Sequence, residues 1–533
     1  MVQISHGNRF QTIFSLCRRT LGDETWGRVL AALDEKTEPQ DLPHLLDGLR
    51  DTLHLPLYIT DLARIEVAWH RARGKRPGLD QNVREILVNP SLTLIPVSWK
   101  NLFSLDHDRL QPGKGLPEPA QTHVMVWNHP ESWKPDIREA RNVDLLAIKM
   151  ILEGIDPRQA AEMGSARVGD IHSAIHRAID QDILISPPSN ISRKQIPENN
   201  LPPGMASFFS SDTFTLQWHI TQACDLHCRH CYDRSDRPDM SLSHALGILN
   251  EFYEFCGQMH VRGQVTFTGG NPMLYPDFLN LYQSAFDMGF GLAILGNPTP
   301  RDEMESLFKI AKPLYFQISL EGLEEYNDFM RGNGHFKRSM DFLDLLGEWN
   351  VFSMVMLTLG RNNLDQVLPL GHVLRDRTDY FTFNRLSTVG EGAKLLLPSK
   401  EDYETFLRNY EEALEKNPEL GIKDNLLNIL REEKQKKPFG GCTGYGCGAA
   451  FNFVALLPDG EVHACRKFPS PMGNIFKTPL MEIYQSDLAQ QYRNGPEDCK
   501  ECRLSLVCRG CLANTYSHGL NIFKDKDPFC FVS

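Results

Sequence analysis

The sequence predicts an α/β protein organised around a partial, TIM-like (β/α)6 barrel, and three features of the chain point to this architecture. Residues 212–400 alternate β-like runs such as TFTLQWHIT and GQVTFTGG with helix-like segments, a pattern typical of a parallel sheet with helices outside it. The region before the barrel reads as helices followed by a small domain of strands and helices, and the region after it is rich in cysteine. In such a barrel, functional residues gather at the carboxyl ends of the strands.

The chain divides into six predicted regions. The first has apolar residues at helical spacing and carries no motif of a reaction. In the second, β-like runs precede three helical patterns, the last with an apolar stripe that includes Ile171, Ile175 and Ala178, and this order predicts a winged-helix-like fold. The six regions are a helical segment 1–83, the winged-helix-like domain 84–186, a Pro/Asn/Ser linker 187–211, the barrel 212–400, a charged helical bridge 401–440 and the cysteine-rich domain 441–533.

The composition restricts the class of protein. The 533 residues carry a net charge of −12 with a pI near 5.9, which does not favour binding to a phosphate backbone. The N-terminus, MVQISHGNRF, has no apolar signal core, and no apolar stretch reaches the roughly 18 residues of a membrane helix. We therefore expect a soluble, cytoplasmic protein that has neither nucleic acid nor a membrane among its partners.

The thirteen cysteines are distributed unevenly along the chain, with three at 224–231 and eight between 442 and 530. In a reducing compartment, clustered cysteines are more typical of metal ligands than of disulfides. Cys17 and Cys256 stand apart from these groups, and we expect both to be inert core thiols.

The first group, Cys224, Cys228 and Cys231, has the spacing C-x3-C-x2-C and directly follows a predicted strand. Three thiolates suit iron or zinc, whereas a structural zinc site takes four ligands. Three ligands leave one position open, and in an iron–sulfur cluster the iron that lacks a cysteine can bind a substrate. A zinc site would need His227 or His230 as its fourth ligand, and the position of the loop after a barrel strand argues against that alternative.

This loop, followed by the aromatic Tyr232, resembles the cluster loop of the radical S-adenosylmethionine (SAM) superfamily. The resemblance implies that the three cysteines are catalytic residues that hold a 4Fe–4S cluster, and that SAM chelates its fourth iron. It also implies cleavage of SAM to methionine and a 5′-deoxyadenosyl radical, which takes a hydrogen atom from the substrate. The cofactor would supply this chemistry, and the protein would position and shield it.

Other segments resemble the SAM-binding motifs of the superfamily and occur in the same order. TFTGGNP is similar to the GGEP loop, with Asn271 in place of the usual Glu, so that the charge-assisted part of a hydrogen bond to the SAM ammonium is lost. QISLEG resembles a strand that contacts SAM, and MRGNGHF resembles a segment whose arginine would pair with the SAM carboxylate. The resemblance implies SAM contacts by Tyr232, Gly269, Gly270, Asn271, Pro272, Ser319, Glu321 and Arg331.

The C-terminal cysteines resemble those of the SPASM domain, which binds two auxiliary 4Fe–4S clusters in peptide-modifying radical SAM enzymes. Eight thiolates match two cubanes with four ligands each. Two zinc-ribbon sites are the alternative, and the hairpin FVALLPDGEVHAC fits either. The interleaved pattern of the family implies one group made of Cys442, Cys447, Cys465 and Cys511, and another made of Cys499, Cys502, Cys508 and Cys530.

Residues 84–186, placed ahead of such a core, resemble the RiPP recognition element, a domain that binds the leader of a ribosomally made precursor peptide. Domains of this kind add the leader as a strand to an exposed sheet edge and clamp it against a helix. A purely structural winged helix is the alternative. A DNA-binding winged helix is less favoured, because SAIHRAIDQDILI is not basic. The whole layout also looks like the selenobiotic-family peptide maturases.

Together these resemblances predict a radical SAM maturase that installs a modification, such as a thioether crosslink, in a ribosomal precursor peptide. A flavodoxin or ferredoxin-type protein would donate the electron. One alternative is a formylglycine-forming enzyme like the anaerobic sulfatase maturases, but Arg466 stands where that family has an acidic base. Another alternative is a non-catalytic iron–sulfur electron or peptide carrier with a degenerate SAM site, which only Asn271 supports.

Overall fold

The computed structural model describes residues 6–74, 83–106, 109–193 and 204–532. The chain forms two compact units, Met1–Pro188 and Ser189–Ser533. The predicted linker 187–211 lies partly outside the described residues, which leave out 194–203. None of the described helices combines the length and the apolar character needed to cross a bilayer.

The first unit begins with helices whose apolar faces form a common core around Phe14, Trp26 and Leu46. Glu66 ties two of these helices together, because its buried carboxylate accepts the N–H groups of Leu16 and Cys17 at 2.6 and 2.9 Å. The helices are α1 (His6–Ile13), α2 (Ser15–Ala31), α3 (Leu42–Leu53) and α4 (Ile59–Gly74).

Strands and then three helices make up the rest of this unit. The long strands form an antiparallel sheet in the order β2-β5-β6, while β1 pairs with β7 and β3 with β4. Ile171, Ile175 and Ala178 are buried with Trp127 of the sheet, as the predicted stripe requires. The elements are β1 (Leu87–Val88), β2 (Thr93–Lys100), β3 (Phe103–Asp106), β4 (Arg109–Pro112), β5 (Glu118–Asn128), β6 (Pro135–Glu139), α5 (Asn142–Glu153), α6 (Pro157–Gly164), α7 (Val168–Asp180) and β7 (Leu184–Ile185).

The second unit is built on a large sheet whose strands have helices between them, which confirms the predicted α/β class. Six consecutive strands pair in parallel in sequence order, as repeated β–α units require. The strands are β8 (Thr213–Thr221), β9 (Arg262–Gly269), β10 (Gly291–Leu295), β11 (Phe316–Ser319), β12 (Ser353–Leu359) and β13 (Tyr380–Arg385). The helices are α8 (Leu242–Met259), α9 (Phe278–Asp287), α10 (Arg301–Phe308), α11 (Glu324–Arg331), α12 (His335–Glu348), α13 (Val367–Leu374) and α14 (Lys400–Ala413).

The cysteine-rich region continues the same sheet. Its first strand pairs in parallel with β8, and a hairpin extends the sheet beyond it, so that nine strands are joined in one sheet. Because the sequence pattern of 441–533 contains no long helix or strand, this pairing with the first strand of the barrel region was not predictable from it. The elements are α15 (Leu427–Glu433), β14 (Phe453–Leu456), β15 (Glu461–His463), β16 (Pro471–Asn474), α16 (Leu480–Gln485), α17 (Asp487–Asn494) and α18 (Leu512–Ser517).

Candidate active site at the carboxyl ends of the parallel strands

The first cysteine group lies in the loop that follows β8, at the carboxyl end of the sheet. Burial raises the pKa of Cys224, Cys228 and Cys231, and each of these thiols also feels the charge of another member of the group. The guanidinium of Arg331 lies 3.5 Å from the sulfur of Cys228. The structure therefore brings the three thiols together, and the charge of Arg331 lowers the pKa of Cys228 and Cys231 against the larger effect of burial.

The two histidines of this loop both face other residues. His227 contacts the guanidinium of Arg234. His230 Nε2 lies 3.2 Å from a carboxylate oxygen of Glu321 and 3.3 Å from the guanidinium of Arg331. One ring nitrogen of each histidine thus contacts another side chain of the site, while the Nδ1 of His230 is buried without a hydrogen-bond partner among the described residues.

The turn after β9 packs directly against the cysteine loop. Gly270 N–H donates to the carbonyl of Thr221 at 2.9 Å, and Asn271 N–H donates to the carbonyl of Ala223 at 2.7 Å. Gly269 has a φ of +135°, and a Cβ there would lie 2.2 Å from the Thr221 oxygen. At Gly270 a Cβ would lie 2.1 Å from the Ala223 oxygen. Glycine is required at both positions because the backbones of the turn and the loop lie close enough to share hydrogen bonds, which leaves no room for a Cβ.

Replacing Gly270 with Ala should disrupt this contact, because the new methyl group meets backbone that cannot move without displacing the cysteine loop. We expect the reconstituted variant to bind SAM at least tenfold more weakly, as measured by equilibrium dialysis. Gly247→Ala in α8 is the matched control, since a Cβ there has no atom within 4 Å. Equal SAM affinity in the two variants would show that the turn tolerates the methyl group and would contradict the prediction.

Glu321 is fully buried and lies between strands rather than in an open cleft. One carboxylate oxygen accepts from Arg331 Nε at 2.8 Å, and the other accepts from the backbone of Thr358 at 2.7 Å. Burial would raise its pKa, but His230 and Arg331 lower the pKa of Glu321 to about 2. Glu321 thus holds Arg331 beside Cys228, which gives it a positioning role; direct contact of either residue with SAM stays a prediction.

The remaining predicted contact residues lie around the same loop. Pro272 begins a short 3-10 turn after the glycines. Ser319 ends β11 and pairs in register with Met356 of β12. The ring of Tyr232 packs under the guanidinium of Arg466, at 4.9 Å from its centroid. Arg466 also contacts the carboxylate of Asp233, so the residue that follows Cys465 reaches back to the first cysteine loop.

The C-terminal cysteines fall into two groups. Burial raises the pKa of Cys447 to about 11, and Cys511 and Cys442 raise it as well. Burial raises the pKa of Cys465 to about 12, and its other neighbours include Cys447 and Cys511. The first group that the structure brings together therefore consists of Cys442, Cys447, Cys465 and Cys511.

The second group lies nearer the C-terminus. Burial raises the pKa of Cys499 to about 12, with further contributions from Cys502 and Cys530. Burial also raises the pKa of Cys508, which feels the charges of Cys499 and Cys530. This grouping matches the interleaved partition expected from the sequence. Across the described ranges, no group of three or more His, Cys, Asp or Glu side chains is arranged to hold a single metal ion, and ligation of clusters by these cysteines is a proposal.

Three arginines in this region, of which Arg193 and Arg509 are buried beside Cys447, indicate which kind of group fits there. Arg193 donates to the carbonyls of Tyr445 and Cys447 at 2.7 and 2.8 Å, and Arg493 and Arg509 also donate to uncharged oxygen acceptors. Within the described part of the chain, none of the three forms an ion pair with a carboxylate, and the Nε of Arg193 is buried without an acceptor.

Burial lowers the pKa of each of these guanidinium groups. Buried charges without partners are costly, and four thiolates around a cubane carry a net negative charge that would compensate them. The cysteine groups therefore fit iron–sulfur clusters. No local sequence pattern marked Arg193, which is more than 250 positions from its acceptor at Cys447.

Arg385 fastens the C-terminal segment to the last parallel strand. It donates to both carboxylate oxygens of Asp527 at 2.9 and 2.7 Å and to Asp424 at 2.8 Å. Asp527 in turn accepts the N–H of Cys511 at 2.7 Å. Sequence reasoning missed this buried ion pair, because its members are separated by 142 positions and belong to no motif.

Comparisons with known proteins agree with these features. Residues 218–370 match the family described as the radical SAM superfamily, and residues 447–511 match SPASM, an iron-sulfur cluster-binding domain. The first match contains the cysteine loop and the strands that carry the glycine turn, Ser319 and Glu321. The protein is an enzyme, and its central segment matches the radical SAM superfamily.

Individual proteins resemble the chain more distantly. The antilisterial bacteriocin subtilosin biosynthesis protein AlbA of Bacillus subtilis is 26% identical, over 59% of this chain and 70% of its own. The AdoMet-dependent heme synthase of Nitratidesulfovibrio vulgaris is 25% identical, over 59% of this chain and 91% of its own. The crystal structure of Streptococcus suis SuiB bound to S-adenosylmethionine shares the fold, with a TM-score of 0.50, 16% identity and coverage of 77% of this chain and 97% of that one.

Proposed function

We propose that this radical SAM enzyme modifies a ribosomally synthesised precursor peptide, for example by forming a thioether crosslink. One observation carries the proposal. The same chain contains a cysteine loop at the carboxyl end of a parallel sheet, two further groups of four cysteines, and a separate domain of strands and helices at 84–186. AlbA, a relative named for the biosynthesis of a bacteriocin, supports a peptide as the substrate.

The residues that would hold the cofactors follow from the groups described above. Cys224, Cys228 and Cys231 would ligate the cluster that binds SAM, and the two C-terminal groups would ligate two auxiliary clusters. When bound, SAM and the first cluster would supply the radical that removes a hydrogen atom from the peptide. The protein's contribution is to hold Arg331 beside Cys228 through Glu321 and to compensate the charge of the C-terminal groups with Arg193 and Arg509.

Electrons would enter from a flavodoxin or ferredoxin-type donor, beside the first cysteine group. A cleft of about 730 Å³ lies next to Cys228 and is lined in part by Arg229, Arg234 and Phe329. Arg229 and Arg234 are exposed there, and the guanidinium of Arg229 packs on the ring of Phe329 at 4.2 Å from its centroid. The two acidic side chains of the lining, Asp328 and Glu391, accept hydrogen bonds from backbone N–H groups and from Lys394, which leaves the exposed arginines to face an acidic electron donor.

The leader of the precursor would bind the domain at 84–186. Among the described strands, β6 pairs only with β5, so that its other edge could take an added strand. The N–H of Ala140 donates to the carbonyl of His123, and the alternation of an antiparallel ladder therefore turns the backbone groups of Ile137 and Glu139 toward that edge. There the Ile137 N–H donates to the Asp136 side chain at 2.7 Å and the Glu139 carbonyl accepts from Arg138 at 3.2 Å, and an added strand would replace these local bonds. Arg138 links this strand to the residue after α7, since it donates to Gln181 at 2.7 Å.

Replacing Glu139 with Pro should weaken binding of the leader, because it removes an edge N–H without removing a donor of the β5–β6 ladder. We expect at least a tenfold weaker affinity for a fluorescent leader peptide, measured by polarisation on the full-length protein. Glu139→Ala is the matched control: it also loses the side-chain bond to the N–H of Asn101 but keeps the edge donor. Equal loss in both variants would show that strand addition at this edge is wrong.

The reaction itself is tested by incubating the reconstituted enzyme, SAM and a reductant with a short peptide encoded next to the enzyme's gene. We expect a change in the mass of the peptide, such as the loss of two hydrogens that a thioether crosslink requires. The similarity to a heme synthase favours a tetrapyrrole as the second candidate substrate. Turnover of an iron-containing porphyrin precursor, with no change in the peptide, would contradict the proposed function.

A further inference from the structure

The side chain of Asn271 makes its hydrogen bonds within the chain. Its side chain is 5% exposed, and its Oδ1 accepts the N–H of Met273 at 3.3 Å, which caps the turn that follows. Its Nδ2 donates to a carboxylate oxygen of Asp225 at 3.1 Å. The residue that replaces the usual Glu of this turn is therefore a donor toward a carboxylate, not a substitute for one.

Asp225 follows Cys224 directly and receives a second amide hydrogen bond. Asn297 follows β10 and is buried; its Nδ2 lies 2.6 Å from the same Asp225 oxygen and 3.7 Å from the sulfur of Cys224. Two amide N–H groups on one carboxylate oxygen fix the direction in which the other oxygen points. One amide group thus reaches both the thiol and the carboxylate, which lie on the same side of the loop.

The other oxygen of Asp225 is available. Among the described residues, Oδ2 of Asp225 has no hydrogen-bond partner, and the residue is exposed. The amides of Asn271 and Asn297 come from the ends of two neighbouring strands, β9 and β10, and hold a carboxylate of the cysteine loop at the site. Where the GGEP pattern has an acidic group, the turn has the amide of Asn271, and the acidic group at this place is Asp225 of the cysteine loop.

We infer that Asp225 supplies the carboxylate that binds the SAM ammonium, and that Asn271 and Asn297 orient it. This inference rests on the proposed function, because it presupposes that SAM binds the iron that none of the three cysteines would hold. Asp225 directly follows Cys224, so its free oxygen would be near a ligand of that cluster, and the ammonium is the group of SAM that a carboxylate oxygen recognises by a charge-assisted hydrogen bond. The arrangement restores the charge-assisted bond that Asn271 alone cannot make.

The test compares SAM affinities of anaerobically reconstituted, full-length variants, with iron content as an independent readout. Asp225→Asn removes the charge and keeps the shape, and we expect SAM to bind about tenfold more weakly, the usual difference between a charged and a neutral acceptor. The iron content should not change. Asp236→Asn, an exposed residue a few positions further along the same loop, should bind SAM as the parent protein does.

A double variant that exchanges the acid and the amide tests the inference at Asn271 as well as at Asp225. Asn271→Glu alone places a second carboxylate against Asp225 and should weaken SAM binding, whereas Asp225→Asn combined with Asn271→Glu should return the affinity to within a few-fold of the parent. Deamino-SAM, which lacks the ammonium, should bind the parent and Asp225→Asn equally well.

Three outcomes would overturn the inference: unchanged SAM affinity in Asp225→Asn, loss of iron along with SAM binding, or an equal loss of affinity for deamino-SAM. The last two would make Asp225 a support of the loop instead. If the parent protein itself does not bind SAM, the proposed function fails, which is a different result from a parent that binds SAM with no contribution from Asp225.

Discussion

Replacing Cys224, Cys228 and Cys231 together with alanine should abolish cleavage of SAM by the reduced protein. The three thiols lie beside Arg331 at the carboxyl end of the sheet, and without them no cluster can present a free iron to SAM. Iron should fall from about twelve to about eight atoms per chain, because each cubane holds about four. The measurements are iron analysis and chromatographic detection of 5′-deoxyadenosine after reduction with dithionite.

The control for this experiment is Cys256→Ala. Cys256 is buried in α8, where burial raises the pKa of its thiol, and it lies outside all three cysteine groups. We expect this variant to keep its iron and to cleave SAM at a rate close to that of the parent. Persistent cleavage in the triple variant would refute the assignment of the first loop.

Replacing Arg385 with Met should cost about 3–5 kcal/mol in the free energy of unfolding, as breaking other buried ion pairs does. The substitution leaves the carboxylates of Asp424 and Asp527 buried without their cation, and these groups are 8% and 1% exposed. Because Asp527 also accepts the N–H of Cys511, the variant should lose iron from the C-terminal groups first. Urea unfolding under anaerobic conditions measures the first effect, and iron analysis measures the second.

An exposed ion pair is the matched control. Arg301 lies 2.6 Å from Glu348, and the two side chains are 51% and 60% exposed. Arg301→Met should therefore change stability by less than about 1 kcal/mol. A similar small change for Arg385→Met would show that the C-terminal segment does not depend on this buried pair.

Features set by local sequence were predictable. The six parallel strands follow from short β-like runs, and the positions of the cysteine loop, the glycine turn and QISLEG follow from their places at strand ends. The grouping of the C-terminal cysteines also agrees with the interleaved pattern of the resembling family. These features depend on residues that are close together in sequence or that belong to a shared motif.

Long-range electrostatic partners were not predictable. Arg193 lies in the predicted linker, and nothing local indicates that it reaches the carbonyl of Cys447. Asp225 stood inside the cysteine motif, but only the folded chain shows that Asn271 and Asn297 donate to it from two different strand ends. Likewise, the resemblance implies a SAM contact by Glu321, but only the folded chain shows that both of its oxygens accept hydrogen bonds from Arg331 and Thr358.

The most direct test of the central claim is electron paramagnetic resonance of the reduced, reconstituted protein before and after addition of SAM. If Cys224, Cys228 and Cys231 hold a cluster with one open iron, SAM will change the signal of one cluster and leave the auxiliary signals as they were. A spectrum that does not respond to SAM, or a loop that contains only zinc, would contradict this account.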